Sequence, residues 1–167
     1  KNYELAKKYY LMAIKKGDTN AMKDLGSYYK SIKNPEEMMK YYKMAIDKGN
    51  TNALVDLGNY YKEIKEFDKM KEYYLKSIEK GNSYGMKNLG NYYKDIDAKE
   101  MIRYLLMAME NGNSNAIVDL GKYYEEKKNY DEMKKYYLMA IEKGHKNIIM
   151  NLANYYKNVE KNDIEYE

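Results

Sequence analysis

The chain has 167 residues, 34% charged and 44% apolar, with 30 basic against 26 acidic side chains and a net charge of +4. Its length fits a single domain, 1–167, large enough to bury a continuous core, and the close mixing of the two charge signs excludes a nucleic-acid-coating tail. With no run of about 18 apolar residues a membrane-spanning helix is excluded, and the lack of cysteine and of a leader pattern leads us to expect an intracellular, cytoplasmic setting.

Residues 1–18 form a partial unit that holds the segment Tyr9-Tyr10-Leu11-Met12-Ala13-Ile14-Lys15-Lys16-Gly17. Variants of it recur at 41–49, 73–81, 104–112 and 136–144, and their closing glycines are 32, 32, 31 and 32 residues apart. A fixed period of this size is the signature of a helical-repeat solenoid. Unit 19–50 shows the whole period. Its first helix carries Ala21, Leu25, Gly26, Tyr28 and Tyr29 at i, i+4, i+5, i+7 and i+8, which is one helical face. A second helix follows with Met38, Tyr41, Tyr42, Met44, Ala45 and Ile46, and ends on Lys48-Gly49.

Unit 51–82 repeats the pattern from Ala53 through Tyr61. Unit 83–113 departs from it at Tyr84, where the other copies have Asn20, Asn52, Asn115 and Asn147, and at Gly85, which replaces the usual alanine. Unit 114–145 restores it from Ala116 through Tyr124. In the partial unit 146–167, Lys146 breaks the start signal, Ala153 stands in for the helix glycine, and Asn162–Glu167 occupies the place where another helix is expected to begin. Because the chain opens on Lys1 inside a repeat, we expect it to be a piece of a longer array.

Start and stop signals agree with the period. Gly17, Gly49, Gly81, Gly112 and Gly144 fit the left-handed position after a helix, and Thr19, Thr51, Ser83 and Ser114 fit N-caps of the helices that follow. Gly26, Gly58, Gly90 and Gly121 fall inside helices, where glycine costs roughly 1 kcal/mol relative to alanine. Their recurrence predicts a close crossing of the paired helices. Of the 23 tyrosines, 19 occupy the repeated Tyr-Tyr positions, which assigns them to the core and to packing between repeats, hydroxyls at the rim. Tyr3, Phe67 and Tyr130 share one further slot. Tyr84 and Tyr166 have no place in the pattern, and Tyr84 is a candidate ligand contact.

No catalytic constellation is present, and no enzymatic activity, cofactor or metal is implied. His145, the single histidine, directly follows a cap glycine and is read as a turn residue, since a metal site or triad needs partners. The glycines keep the repeat spacing rather than a phosphate-binding one.

Leu25-Gly26 with Tyr29, and Tyr42 with Ala45, repeated along nearly the whole chain, make it resemble the Sel1-like branch of the tetratricopeptide superfamily. The Tyr-Tyr-Leu-Met-Ala-Ile and Lys-Gly-Asn segments resemble copies found in amoeba-infecting giant viruses, which would place the protein in host cytoplasm. The resemblance implies an all-α fold, a right-handed α-solenoid of about five antiparallel helix pairs. It also implies that the first helix of each pair lines a concave groove. Position by position that groove comprises Lys23, Ser27, Lys30, Val55, Asn59, Lys62, Glu63, Lys87, Asn91, Lys94 and Asp95, continuing through Val118, Lys122, Glu125, Glu126, Met150, Asn154 and Lys157. Asn59, Asn91 and Asn154 recur where tetratricopeptide domains bond a peptide backbone with asparagine, an amide that donates and accepts at once. Lys87 and Asn91 match the start of a carboxylate clamp, but Asp119 stands where that clamp needs an asparagine. An equally open reading makes the asparagines codon drift on a solvated face.

Seven groove lysines against Glu63, Asp95, Glu125 and Glu126 give +3, so an extended acidic or polar segment is the expected guest. The expected function is a non-enzymatic protein–protein interaction scaffold, monomeric, with a protein or peptide partner. A self-associating structural solenoid is the alternative. A nucleic-acid-binding repeat protein is a third reading, and the interleaved acids argue against it.

Overall fold

The computed structural model describes residues 3–158 of the chain. Among them are ten α-helices and no strand: α1 (Tyr3–Lys15), α2 (Thr19–Ser31), α3 (Pro35–Asp47), α4 (Thr51–Glu63), α5 (Phe67–Glu79), α6 (Ser83–Tyr93), α7 (Ala98–Glu110), α8 (Ser114–Glu126), α9 (Tyr130–Glu142) and α10 (Ile148–Asn158). The fold is an all-α solenoid of helix-pair repeats. The expected helix start at Asn162–Glu167, and Tyr166, lie outside the described residues. Two compact units are present, Lys1–Met86 and Lys87–Glu167. In the first, α1 packs on α2, α2 on α3, α3 on α4 and α4 on α5, and α2 also touches α4. In the second, α7 packs on α8, α8 on α9 and α9 on α10.

Short turns follow from local signals. Gly49 takes φ +86°, where a side chain is strained, and lets the chain leave α3. Four other closing glycines share that sign of φ. Within repeats the turn between the two helices uses lysine instead: Lys33, Lys65 and Lys128 sit at φ 57°, 61° and 56°. Unit 83–113, one residue shorter in its glycine spacing, has no such lysine; α6 stops at Tyr93, and Asp97 caps α7 through the Lys99 and Glu100 amides.

One expectation is corrected at the other helix starts. Thr19, Thr51, Ser83 and Ser114 are the first helical residues rather than the caps. The cap is the residue before. Asp18 accepts from the Asn20 and Ala21 amides at 2.8 and 3.0 Å, and Asn50 accepts from Asn52 and Ala53 at 3.1 and 3.3 Å. A planar carboxylate or amide in extended backbone reaches those N–H groups, which a hydroxyl on a helical residue does not. The hydroxyls accept across repeats instead. Asn50 Nδ2 donates to Asn20 Oδ1 at 3.0 Å and to Thr19 Oγ1 at 3.4 Å. Asn82 donates in the same way to Asn52 at 2.8 Å and Thr51 at 2.9 Å. His145 takes the repeat position of Asn50 and Asn82, and its Nε2 is hydrogen-bonded to Ser114 Oγ at 2.9 Å. Helix α10 starts two residues late, at Ile148, as the break at Lys146 implied.

The core is built from the repeated apolar positions. Leu25, Leu57, Leu89 and Leu120 of the first helices and Met38, Met70, Met101 and Met133 of the second are fully buried. A Cβ on Gly26 would lie 2.6 Å from the Tyr42 ring, and one on Gly58 or Gly121 would overlap Tyr74 or Tyr137. The close crossing is therefore a ring laid across a helix backbone. Gly90 faces Leu105 instead of a ring, and a Cβ there would still press on the leucine side chain at 3.1 Å. Gly85 and Ser77 form a matched exchange: a Cβ on Gly85 would strike Ser77 Oγ, while the pairs Ala21 with Ala13, Ala53 with Ala45 and Ala116 with Ala108 hold two alanines at those positions. Along the helix ends Tyr29 stacks on Tyr41, Tyr61 on Tyr73, Tyr93 on Tyr104 and Tyr124 on Tyr136, with centroids 5.3–6.0 Å apart.

Candidate functional site

The first helices of each unit present an open cleft beside their neighbour, and both clefts sit at the same register of the repeat. In the first unit Ser27, Lys30, Tyr42, Asp56, Asn59 and Lys62 line about 810 Å³ between α2 and α4. In the second unit the cleft is about 230 Å³, lined by Asn91 of α6, Lys94 just after it, and Asp119 and Lys122 of α8, with Met101, Leu105 and Tyr123 buried beneath them.

The charges follow a two-repeat rhythm. Lys23 reaches Asp24 at 2.7 Å and Asp56 of the next repeat at 3.9 Å, and Lys30 bonds Glu63 at 2.6 Å. In the second unit Lys87 lies 3.7 Å from Asp119, and Lys94 bonds Glu126 at 2.7 Å. Between these lysines in sequence, Val55 and Val118 take the same helical position and are buried. Burial opposes the charge on Lys23, yet its bonds to Asp24 and its attraction to Asp56 hold its ammonium above the ordinary range. Burial likewise pushes the Asp56 carboxyl up, against the pull of Lys23 and Lys30. Such half-exposed pairs add about 0–1 kcal/mol each, so they set charge balance more than stability.

Hydroxyls from the second helices close the floor. Tyr42 Oη lies 3.0 Å from Ser27 Oγ, Tyr74 donates to Asn59 Oδ1 at 2.7 Å, and Tyr137 donates to Glu125 at 2.7 Å. Burial raises the Tyr42 hydroxyl to about 12, with the Ser27 hydrogen bond acting against it. Burial and the bond to the Glu125 carboxylate raise Tyr137 as well.

The expected groove residues therefore separate into two groups. Lys23, Lys30, Lys87 and Lys94 are matched to carboxylates of their own unit. Asn59 accepts from a tyrosine, and Asn91 donates to Asp119 Oδ2 at 2.8 Å, so Lys87 and Asn91 converge on an aspartate of the chain itself. Lys62 and Lys122 line the clefts, are exposed, and make no ion pair among the described residues. Tyr84 is 52% exposed on the first turn of α6 and lines neither cleft; Asn154 and Lys157 are exposed on α10, outside both. Asp56 and Leu105 are the cleft members that sequence reasoning passed over, while Asp119 entered it as a misfit to the clamp and Tyr42 as a core position. The alternation of Lys23, Val55, Lys87 and Val118 at one position was the signal that marks them.

The tetratricopeptide repeat family model matches residues 51–79 and 114–142, which span α4 with α5 and α8 with α9. Those two segments, about a third of the chain, are similar to tetratricopeptide repeats, and the helix-pair fold agrees with that likeness. The chain is similar in structure to c5321, a protective antigen of uropathogenic Escherichia coli strains displaying an SLR fold, at 24% identity and TM-score 0.66. That likeness covers 89% of this chain and 36% of c5321. Similarity to Pseudomonas aeruginosa PilF covers 86% of this chain and 79% of PilF, at 15% identity and TM-score 0.59. BtubC (BKLC) from P. vanneervenii is similar at 15% identity and TM-score 0.58, over 82% and 65% of the two chains. At these identities the likeness is one of fold. No curated protein sequence matches the chain. No helix among the described residues is long and apolar enough to cross a membrane.

Proposed function

We propose that this protein is an interaction scaffold whose first-helix clefts receive extended acidic peptide segments. The observation that carries the reading is the surplus cation. In each cleft the other lysines are matched to carboxylates of the unit, whereas Lys62 and Lys122 have no such partner among the described residues. A guest carboxylate completes the set, steered by charge and fixed in register by the polar rim. Removing Asn59, Lys87 or Asn91 would disturb the protein's own bonds, so the surplus lysines are the better test.

The test is selection from a displayed peptide library on wild type and on the Lys62→Glu, Lys122→Glu double variant, after circular dichroism shows equal helical content. The expected outcome is enrichment of Asp- and Glu-rich peptides by wild type and their loss with the variant. Enrichment of basic or purely apolar peptides, or equal enrichment by both proteins, contradicts the reading.

A second reading, self-association, draws on the outer faces of α1 and α10. Tyr9 and Tyr156 are 59% and 44% exposed, whereas Tyr41 and Tyr29 at the same repeat positions are buried. Sedimentation across a hundredfold concentration range separates the two: a constant monomer mass removes self-association, and a rising mass supports it.

A further inference from the structure

Asparagine is followed by glycine once in the chain, at Asn111-Gly112, where α7 ends. The other copies read Lys16-Gly17, Lys48-Gly49, Lys80-Gly81 and Lys143-Gly144, so the repeat ordinarily puts a cation at the negative end of the helix dipole. Asn111 is the C-cap of α7, with φ -89° and ψ 22°, and it is exposed to solvent. Three hydrogen bonds hold it and its neighbour. The Asn111 N–H and Nδ2 both donate to the Met107 carbonyl, at 3.0 and 2.9 Å, and the Gly112 N–H donates to the Met109 carbonyl at 3.0 Å. Asn82 and Asn113, which precede serines, are buried instead. A carboxamide followed by glycine is open to attack by the next backbone nitrogen, because glycine has no side chain to hinder the approach.

We infer that Asn111 is a deamidation site whose rate is set by opening of the last turn of α7, independently of the peptide-binding reading above. The Gly112 nitrogen attacks Asn111 Cγ; the N–Cγ bond forms, the Cγ–Nδ2 bond breaks, and the nitrogen's proton leaves with the amide as ammonia. Water then opens the cyclic imide at either carbonyl, giving aspartate, or isoaspartate with the main chain rerouted through the side-chain carbon. Nothing is oxidised or reduced, and the net change is hydrolysis of an amide. In the folded chain both reacting groups are engaged, the carboxamide by Met107 and the Gly112 N–H by Met109. Attack requires those bonds to break and the backbone at Asn111 to leave its helical conformation, which fraying of a helix end permits. The product falls at a sensitive place. Aspartate sets an anion beside Glu110 at the negative end of α7. Isoaspartate lengthens the main chain just ahead of Gly112 and of Asn113, whose N–H is bonded to the Ala108 carbonyl at 2.9 Å. Either change loosens the turn that joins α7 to α8.

The test incubates wild type, Asn111→Lys and Glu110→Gly in mildly alkaline buffer, with and without concentrated urea, and follows conversion of amide to acid by peptide mass spectrometry. The tryptic peptide 104–122 also holds Asn113 and Asn115, so fragmentation spectra assign the position. In urea, Asn111 is expected to convert faster than every other asparagine of the chain. In buffer its rate should fall about tenfold or more, because only locally opened molecules react. Glu110→Gly, which weakens the last helical turn, should raise the rate in buffer about threefold and leave the rate in urea unchanged. Asn111→Lys, which restores the residue of the other copies, should remove conversion at that position in both. No conversion in urea, or faster conversion at another asparagine there, overturns the site. Equal wild-type rates with and without urea, or a rate in buffer that Glu110→Gly does not raise, overturns control by α7.

Discussion

At Gly58 a single methyl group would collide with the Tyr74 ring, while at Gly90 the same methyl would press on Leu105 at 3.1 Å. Overpacking costs typically 1–3 kcal/mol, offset by roughly 1 kcal/mol of helix propensity. Gly58→Ala is therefore expected to lower the urea midpoint, and Gly90→Ala to lower it less; the reverse order would contradict the packing assigned here. Leu57 is fully buried, so Leu57→Ala should cost about 2–5 kcal/mol in the same measurement. Tyr42 adds a dependence on pH. Its hydroxyl ionises at about 12 in the folded protein against 10.0 ordinarily, so between those values the unfolded chain loses the proton first. Stability is then complete below pH 10 and declines as pH rises toward 12. Tyr42→Phe should flatten part of that decline, and an unchanged slope would contradict the assignment.

The elements show which parts of the design belong to local sequence. Helix ends, paired helices and the packing glycines were legible because each recurs at a nearly constant spacing in fixed local chemistry. The N-caps were misplaced by one residue because Asp, Asn, Ser and Thr are all good caps, and position alone decides between neighbours. Asn50 both caps α4 and bonds Asn20 and Thr19 of the preceding repeat. Asn50→Ala is thus expected to cost more than the ~1 kcal/mol of a simple cap, and more than Thr51→Ala, by chemical denaturation. Turn lysines offer the opposite sign. Lys65 is held at φ 61°, a conformation that costs a non-glycine residue about 1–2 kcal/mol. Lys65→Gly should leave stability equal or higher by up to about 1 kcal/mol, and a clear loss would show that the lysine side chain carries a contact of its own.

At the scale of the whole molecule, the repeat period dictated a helix-pair solenoid, while the charge pattern within it needed coordinates. Lys30 and Glu63 are 33 residues apart, and Lys94 and Glu126 are 32. Their pairing depends on how successive repeats stack and which rotamers meet, so a count of groove lysines alone reads as a general excess of positive charge. With the pairs placed, that excess in the clefts falls on Lys62 and Lys122. The most direct test is a titration of the 15N-labelled protein with an acidic decapeptide, followed by amide chemical shifts. Shifts should concentrate on α4 around Lys62 and on α8 around Lys122, and vanish for the Lys62→Glu, Lys122→Glu protein. Shifts confined to α3, α5 and α9, or unchanged by those substitutions, would contradict the account.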